Sequence, residues 1–121
     1  MKGDLKDKTV FIDFYMKNCY YCYLFRDEYN EVEEVMQERY EGEIAFLKVD
    51  GPVVKQLSSL YHIQSYPSYI AIKEGTNGQN FEKFTGSRTK AGLSSWIDKL
   101  MYIEEEEIIE REEAVAARPS N

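Results

Sequence analysis

Between Thr9 and Met36 the hydrophobic period changes once, from a nearly continuous apolar run to a stripe of helical spacing. Thr9 to Tyr15, TVFIDFY, is rich in β-forming residues and too short for an ordinary helix. It reads as a strand buried on both faces. From about Tyr20 onward Phe25, Tyr29, Val32 and Met36 recur at i, i+4, i+7 and i+11, with Glu and Arg between them. That spacing predicts an amphipathic helix ending near Gly42. Glu43 to Val49, EIAFLKV, is a second apolar run and predicts a second buried strand. A β-α-β unit of this kind implies parallel strands joined by a right-handed crossover.

The remainder of the chain completes a mixed sheet. Asp50-Gly51-Pro52 marks a turn into a short helical segment with Val53, Leu57 and Leu60 inward. Ser68 to Ile72 is a third strand, entered through Tyr66-Pro67, and EGTNGQN at 74–80 has the composition of a hairpin loop. A strand follows over Phe81 to Thr85. Gly86-Ser87-Arg88 then breaks the chain ahead of a helix carrying Leu93, Trp96, Ile97 and Leu100. The expected order is β-α-β-α-β-β-α, an α/β class with a mixed central sheet flanked by helices. Residues 1–7 form a lead-in, 8–103 the domain, and 104–121 an acidic extension, partly helical and then disordered.

Composition narrows the function classes. The 121 residues include ten Tyr and six Phe and are 43% hydrophobic, enough apolar surface for a packed core. The formal net charge is −7, much of it in the run from Glu104 to Glu113. Nucleic acid is therefore not an expected partner, because phosphate binding needs clustered Lys and Arg. No stretch approaches the roughly 20 apolar residues of a membrane span, so no membrane association is expected. The opening Met1-Lys2-Gly3-Asp4-Leu5 has no signal-like apolar core, which fits a cytosolic protein or a piece of a secreted one without its targeting segment. With two cysteines there is no disulfide framework.

Those cysteines, Cys19 and Cys22, fall where the first strand hands over to the first helix. A thiol at a helix N-terminus has its thiolate stabilised by free N–H groups and the macrodipole. Two sulfurs at this spacing can close a small ring and exchange with an outside disulfide. Cys19 would attack and Cys22 would resolve. The same motif also serves as half a zinc site, although only His62 remains as a further soft ligand. A purely structural bridge is another reading, but so small a loop constrains the unfolded chain little. Asp13, six residues before Cys19, is a carboxyl in an apolar run, and its burial penalises the charged form. It is a candidate proton acceptor behind Cys22. Lys48 on the second strand could reach Asp13 across a parallel pair. Pro67 stands at a strand entrance, where a cis bond is one way of placing it.

Together these residues resemble the thioredoxin superfamily. The resemblance rests on the strand with Asp13, on Cys19-x-x-Cys22 opening a helix, and on Lys48-Val49-Asp50. It continues through Tyr61-x-Ile63-x-x-Tyr66-Pro67-Ser68 and Phe84-x-Gly86, and covers residues 8 to 101. Glu28-Tyr29, Tyr66 before the proline and Arg88 after Gly86 make the chain most similar to a catalytic, a-type domain of protein disulfide isomerases. The resemblance implies a thioredoxin-like fold whose N-terminal β-α is truncated. It also implies a cis Pro67 facing Cys19 and lining a substrate groove with Tyr66, and an Arg88 that acts on the resolving cysteine. Asn18, Tyr20 and Tyr21 take the positions around the nucleophile. Asn18 replaces the family's Trp, Asp27 replaces its helix-kinking proline, and the Tyr20-Tyr21 dipeptide lacks the His of typical isomerases. A less oxidising couple follows from that last difference. Glutaredoxins share a Tyr before the second Cys, but Gly86-Ser87-Arg88 does not supply their glycine pair and acid.

The expected activity is thiol–disulfide oxidoreduction or isomerisation on protein disulfides, without cofactor or metal. Expected partners are the thiols and disulfides of client proteins and a regenerating redox partner. The chain would be a monomer or one domain of a larger protein, in the endoplasmic reticulum lumen or alternatively the cytoplasm. Two rivals are a cytosolic thioredoxin-like reductase and a redox-inert module of the same fold that binds unfolded chains.

Overall fold

The computed structural model describes residues 8–73 and 80–102. Strand β1 spans Thr9–Tyr15 and leads into helix α1, Tyr20–Arg39. Strand β2 is Ile44–Asp50, helix α2 is Lys55–Leu60, and strands β3 and β4 are Ser68–Ile72 and Phe81–Lys83. Residues 90–102 form helix α3. The four strands lie in the order β2-β1-β3-β4. β1 runs parallel to β2 and antiparallel to β3, which pairs antiparallel with β4. The sheet is mixed, as the hydrophobic pattern predicts. The sequence readings for 1–7, for the hairpin loop at 74–79 and for the acidic extension at 104–121 lie outside the described residues.

Alternation along β1 divides the core. Phe11 and Asp13 face α1 and α3, while Val10, Ile12 and Phe14 face α2. On the first side Tyr29, Val32 and Met36 from α1 meet Leu93 and Ile97 from α3. On the other side Tyr61 and the half-buried Leu57 and Ile63 close over the sheet. α1 stops at Arg39, with Tyr40 as C-cap, and Gly42 takes up a left-handed φ of 82° just beyond. Thr89 caps α3, accepting the Gly92 N–H on its hydroxyl at 3.1 Å.

Three sequence expectations change in detail. Among the described residues β2 is an edge strand, with β1 on one side only, and Leu47 is 38% exposed rather than buried. Val53 and Leu60 do not point inward; they are 72% and 56% exposed. α2 has only six residues, and Leu57 with Tyr61, four apart, occupies its single inward row. β4 ends at Lys83 rather than Thr85.

Candidate active site

β1 ends in a tight connection to α1. Asn18 takes a left-handed φ of 58°, which Asn tolerates better than most residues, and this turns the chain so that Cys19 becomes the helix N-cap. Cys19 is joined to Cys22 in a disulfide with the Cα atoms 5.2 Å apart. The Cys22 N–H donates to Cys19 Sγ at 3.1 Å. A sulfur in the N-cap place thus takes the hydrogen bond that a Ser or Asp oxygen would take, and the same N–H stabilises a thiolate there after reduction. Cys19 Sγ also lies 3.8 Å from the Tyr66 carbonyl oxygen, within reach of a thiol proton. The Tyr66–Pro67 peptide is cis.

Asp13 on β1, 8% exposed, lines the same cavity as the disulfide. Its register partners are Lys48 on β2 and Tyr69 on β3. Burial is the main influence on its carboxyl, which titrates at about 6 instead of the ordinary 3.8; the positive charge of Lys48 opposes the shift and Glu33 adds to it. Its Oδ1 is buried without a hydrogen-bond partner among the described residues. Lys48 makes no ion pair with it: the ammonium donates to Asn30 Oδ1 on α1. Lys48 therefore acts on Asp13 through space. Tyr29 stacks on Tyr69 with ring centroids 4.8 Å apart, and burial pushes both phenols well above their usual range.

Arg88 donates through Nη2 to the Pro67 carbonyl at 3.0 Å, and its guanidinium lies 6.0 Å from the Phe25 ring centroid. It holds the loop that carries Pro67. Tyr66 departs from the sequence expectation of a groove-lining ring. Its side chain packs with the α2-side core and lies over Gly51, where any Cβ would overlap the ring. Only its backbone reaches the cysteines. Tyr20 is 70% exposed beside the disulfide, whereas Tyr21 stacks along α1 on Phe25.

A cavity of about 660 Å³ runs from the disulfide along α1, and Asp13, Asn18, Tyr20, Pro67 and Lys48 contribute to its walls. Met16, Tyr23, Arg26 and Tyr69 also line it, although the sequence reading did not single them out. A signal for two of them was present: Tyr23 and Arg26 follow Cys19 at i+4 and i+7 and so share its helix face.

Known proteins place this geometry in context. The family model described as Thioredoxin matches residues 2–99. Protein disulfide-isomerase A2 of Pongo abelii is 28% identical over 90 residues, 74% of this chain and 17% of that protein. Thioredoxin Y2, chloroplastic, of Arabidopsis thaliana is 34% identical over 76 residues, 63% of this chain and 43% of the relative. The chain thus spans less than half the length of either relative. The first thioredoxin domain of mouse protein disulfide-isomerase A4 superposes with a TM-score of 0.70, covering 82% of this chain and 67% of that one at 23% identity, a likeness of fold.

Proposed function

The chain belongs to the thioredoxin family, and on that premise we propose that Cys19 and Cys22 exchange disulfides with client proteins, with isomerase or oxidase work as the leading role. One observation carries the reading: the first sulfur stands in the N-cap place of a 20-residue helix, with the second beside it and a buried carboxyl behind. In the reducing direction the Cys19 thiolate attacks one sulfur of a client disulfide. A mixed disulfide forms, and the other client sulfur leaves as a thiolate that takes up a proton. Cys22 then gives its proton to the Asp13 carboxylate and attacks Cys19 Sγ. The Cys19–Cys22 disulfide closes and the second client thiol departs. The client gains two electrons, which a dithiol reductant must return to the domain. Run backwards, the same steps oxidise a client; arrested at the mixed disulfide, they reshuffle one.

Lys48 supports this sequence by holding positive charge near Asp13, and Arg88 by fixing Pro67 beside Cys19. Substrate contacts fall to Asn18, Tyr20 and the Tyr66–Pro67 backbone, with Tyr21 at the outer edge. An endoplasmic reticulum setting suits the isomerase role, and a cytoplasmic one suits a reductase.

Insulin reduction driven by dithiothreitol tests the chemistry. Cys19→Ser should abolish catalysed turnover, and Cys22→Ser should accumulate mixed disulfides with insulin chains. Undiminished turnover in Cys19→Ser overturns the proposal. Reactivation of scrambled ribonuclease separates the roles: an isomerase restores activity, while a simple reductase leaves the enzyme inactive.

A further inference from the structure

The cavity beside the disulfide differs in charge from the chain that carries it. Overall the protein has a formal net charge of −7. Among the described residues the charged side chains on the cavity wall are Arg26, Lys48 and Asp13, and Asp13 is mostly buried. Arg26 is held over the Tyr23 ring, with its guanidinium carbon 4.9 Å from the centroid, so its charge sits beside the groove. Its contact with Asp27, 3.5 Å between exposed groups, competes weakly for it. The same wall carries the apolar and aromatic side chains of Met16, Tyr20, Tyr23 and Tyr69.

We propose that this groove selects client disulfides whose cysteine has an apolar neighbour and, a few residues farther on, an acidic side chain. The inference rests on the exchange chemistry above and deepens it by naming the substrate class. The spacing comes from α1. Arg26 lies seven residues beyond Cys19, a rise of about 10 Å along the helix. An extended client segment advances roughly 3.3 Å per residue, so an acid about three positions from the reacting cysteine meets Arg26. The Lys48 ammonium, which meets Asn30 one turn beyond Arg26 on α1, adds to the same field. The apolar neighbour is accommodated between Met16, Tyr20 and Tyr23, which are 37%, 70% and 69% exposed in the free protein.

The test uses disulfide-linked homodimers of the peptides Cys-Leu-Ala-Glu and Cys-Leu-Ala-Lys, mixed with excess reduced protein under single-turnover conditions at low salt. The Glu peptide should be reduced about tenfold faster, the ratio expected for one or two weakly screened charges near a protein surface. At 0.5 M NaCl, where the screening length is about 4 Å, the two rates should converge. Arg26→Glu should reverse the order, and Ala in place of Leu should slow the Glu peptide several-fold. Measurable but equal rates for both peptides at low salt, or an unchanged ratio in Arg26→Glu, overturn the proposal. Cysteine-free analogues with Ser for Cys, titrated into the oxidised ¹⁵N-labelled protein, separate binding from chemistry. If no peptide disulfide is reduced, yet the Glu analogue alone perturbs Tyr23, Arg26 and Lys48, the selectivity stands and the exchange reading falls.

Discussion

Replacing Asp13 by Asn removes a carboxyl that the fold disfavours in its charged form, so the variant should be the more stable protein above neutrality. The folded carboxyl titrates at about 6 and an ordinary one at 3.8. Each tenfold change in proton affinity corresponds to about 1.4 kcal/mol, so the difference amounts to roughly 3 kcal/mol. The direction follows from proton binding. Between these two values the folded state holds a proton that the unfolded chain has lost. Folding is therefore favoured at the acid end of the window, and stability declines as pH rises through it, reaching its lower plateau above about 6. Glu33 on α1, Lys48 on β2 and Tyr69 on β3 face the same site, but they are common to both proteins, so the difference between parent and variant isolates Asp13. Urea unfolding of the oxidised forms should give nearly equal midpoints at pH 4 and below. At pH 8 Asp13→Asn should unfold at a midpoint higher by roughly 1–3 M, given slopes of about 1–3 kcal/mol per M for small domains. A gap between the two proteins that stays constant from pH 4 to pH 8, or a parent that is the more stable at pH 8, would refute burial as the cause.

Asp13→Asn should also slow the release of trapped mixed disulfides by tenfold or more at pH 7, because Cys22 loses its proton acceptor; stopped-flow quenching of the mixed species measures this. Gly51→Ala should lower stability by about 1–3 kcal/mol, since its Cβ would overlap the Tyr66 ring, and a smaller side chain in Tyr66→Ala should relieve the clash in the double variant. Tyr29→Phe removes a buried hydroxyl that has no hydrogen-bond partner among the described residues, and should raise the urea midpoint by the equivalent of about 1 kcal/mol. Asp98→Asn removes the negative charge of a carboxylate whose two oxygens accept from Arg39 Nη1 at 2.5 and 2.7 Å, a contact that ties α1 to α3. It should cost about 0.5–1 kcal/mol, with the loss shrinking in high salt.

Much of this architecture was legible because β1 and α1 carry unambiguous periods, and the cysteines fall at their junction. Phe25, Tyr29, Val32 and Met36 define one helix face whatever packs on it, and three of them are buried. Errors came where a local pattern depends on distant neighbours. EIAFLKV is apolar enough for a central strand, yet nothing in its residues says that, among the described residues, only β1 pairs with it. The apolar residues from Val53 to Leu60 look like a stripe, but too few of them are helical for more than one inward row. At the site Asp13 was readable as a carboxyl out of place. Tyr69 was not, since Tyr in a strand is ordinary and its significance lies in stacking on Tyr29 beside that carboxyl. The position of Tyr66 is a similar case: the motif locates its backbone, and Gly51, fifteen residues earlier, decides where its ring goes.

The strand order explains why burial wins over charge at Asp13. On one side β3 brings Tyr69, stacked on Tyr29, beside a carboxyl that is only 8% exposed. On the other side β2 brings Lys48, a full positive charge at the same level of the sheet. If Lys48 were enclosed, the low dielectric would multiply its attraction and hold the carboxyl ionised. But among the described residues β2 is the edge strand, Lys48 is exposed, and its ammonium donates to Asn30. In contact with water a unit charge some 4 Å away is worth about 1 kcal/mol, less than the several kcal/mol that burying an ion costs. The outcome is a carboxyl that changes state near pH 6 rather than one fixed as an anion. A strand laid along the edge of β2 that the described residues leave open would desolvate Lys48, strengthen its pull and bring Asp13 back toward the ordinary carboxylate range, and the pH window for Cys22 deprotonation would move down with it.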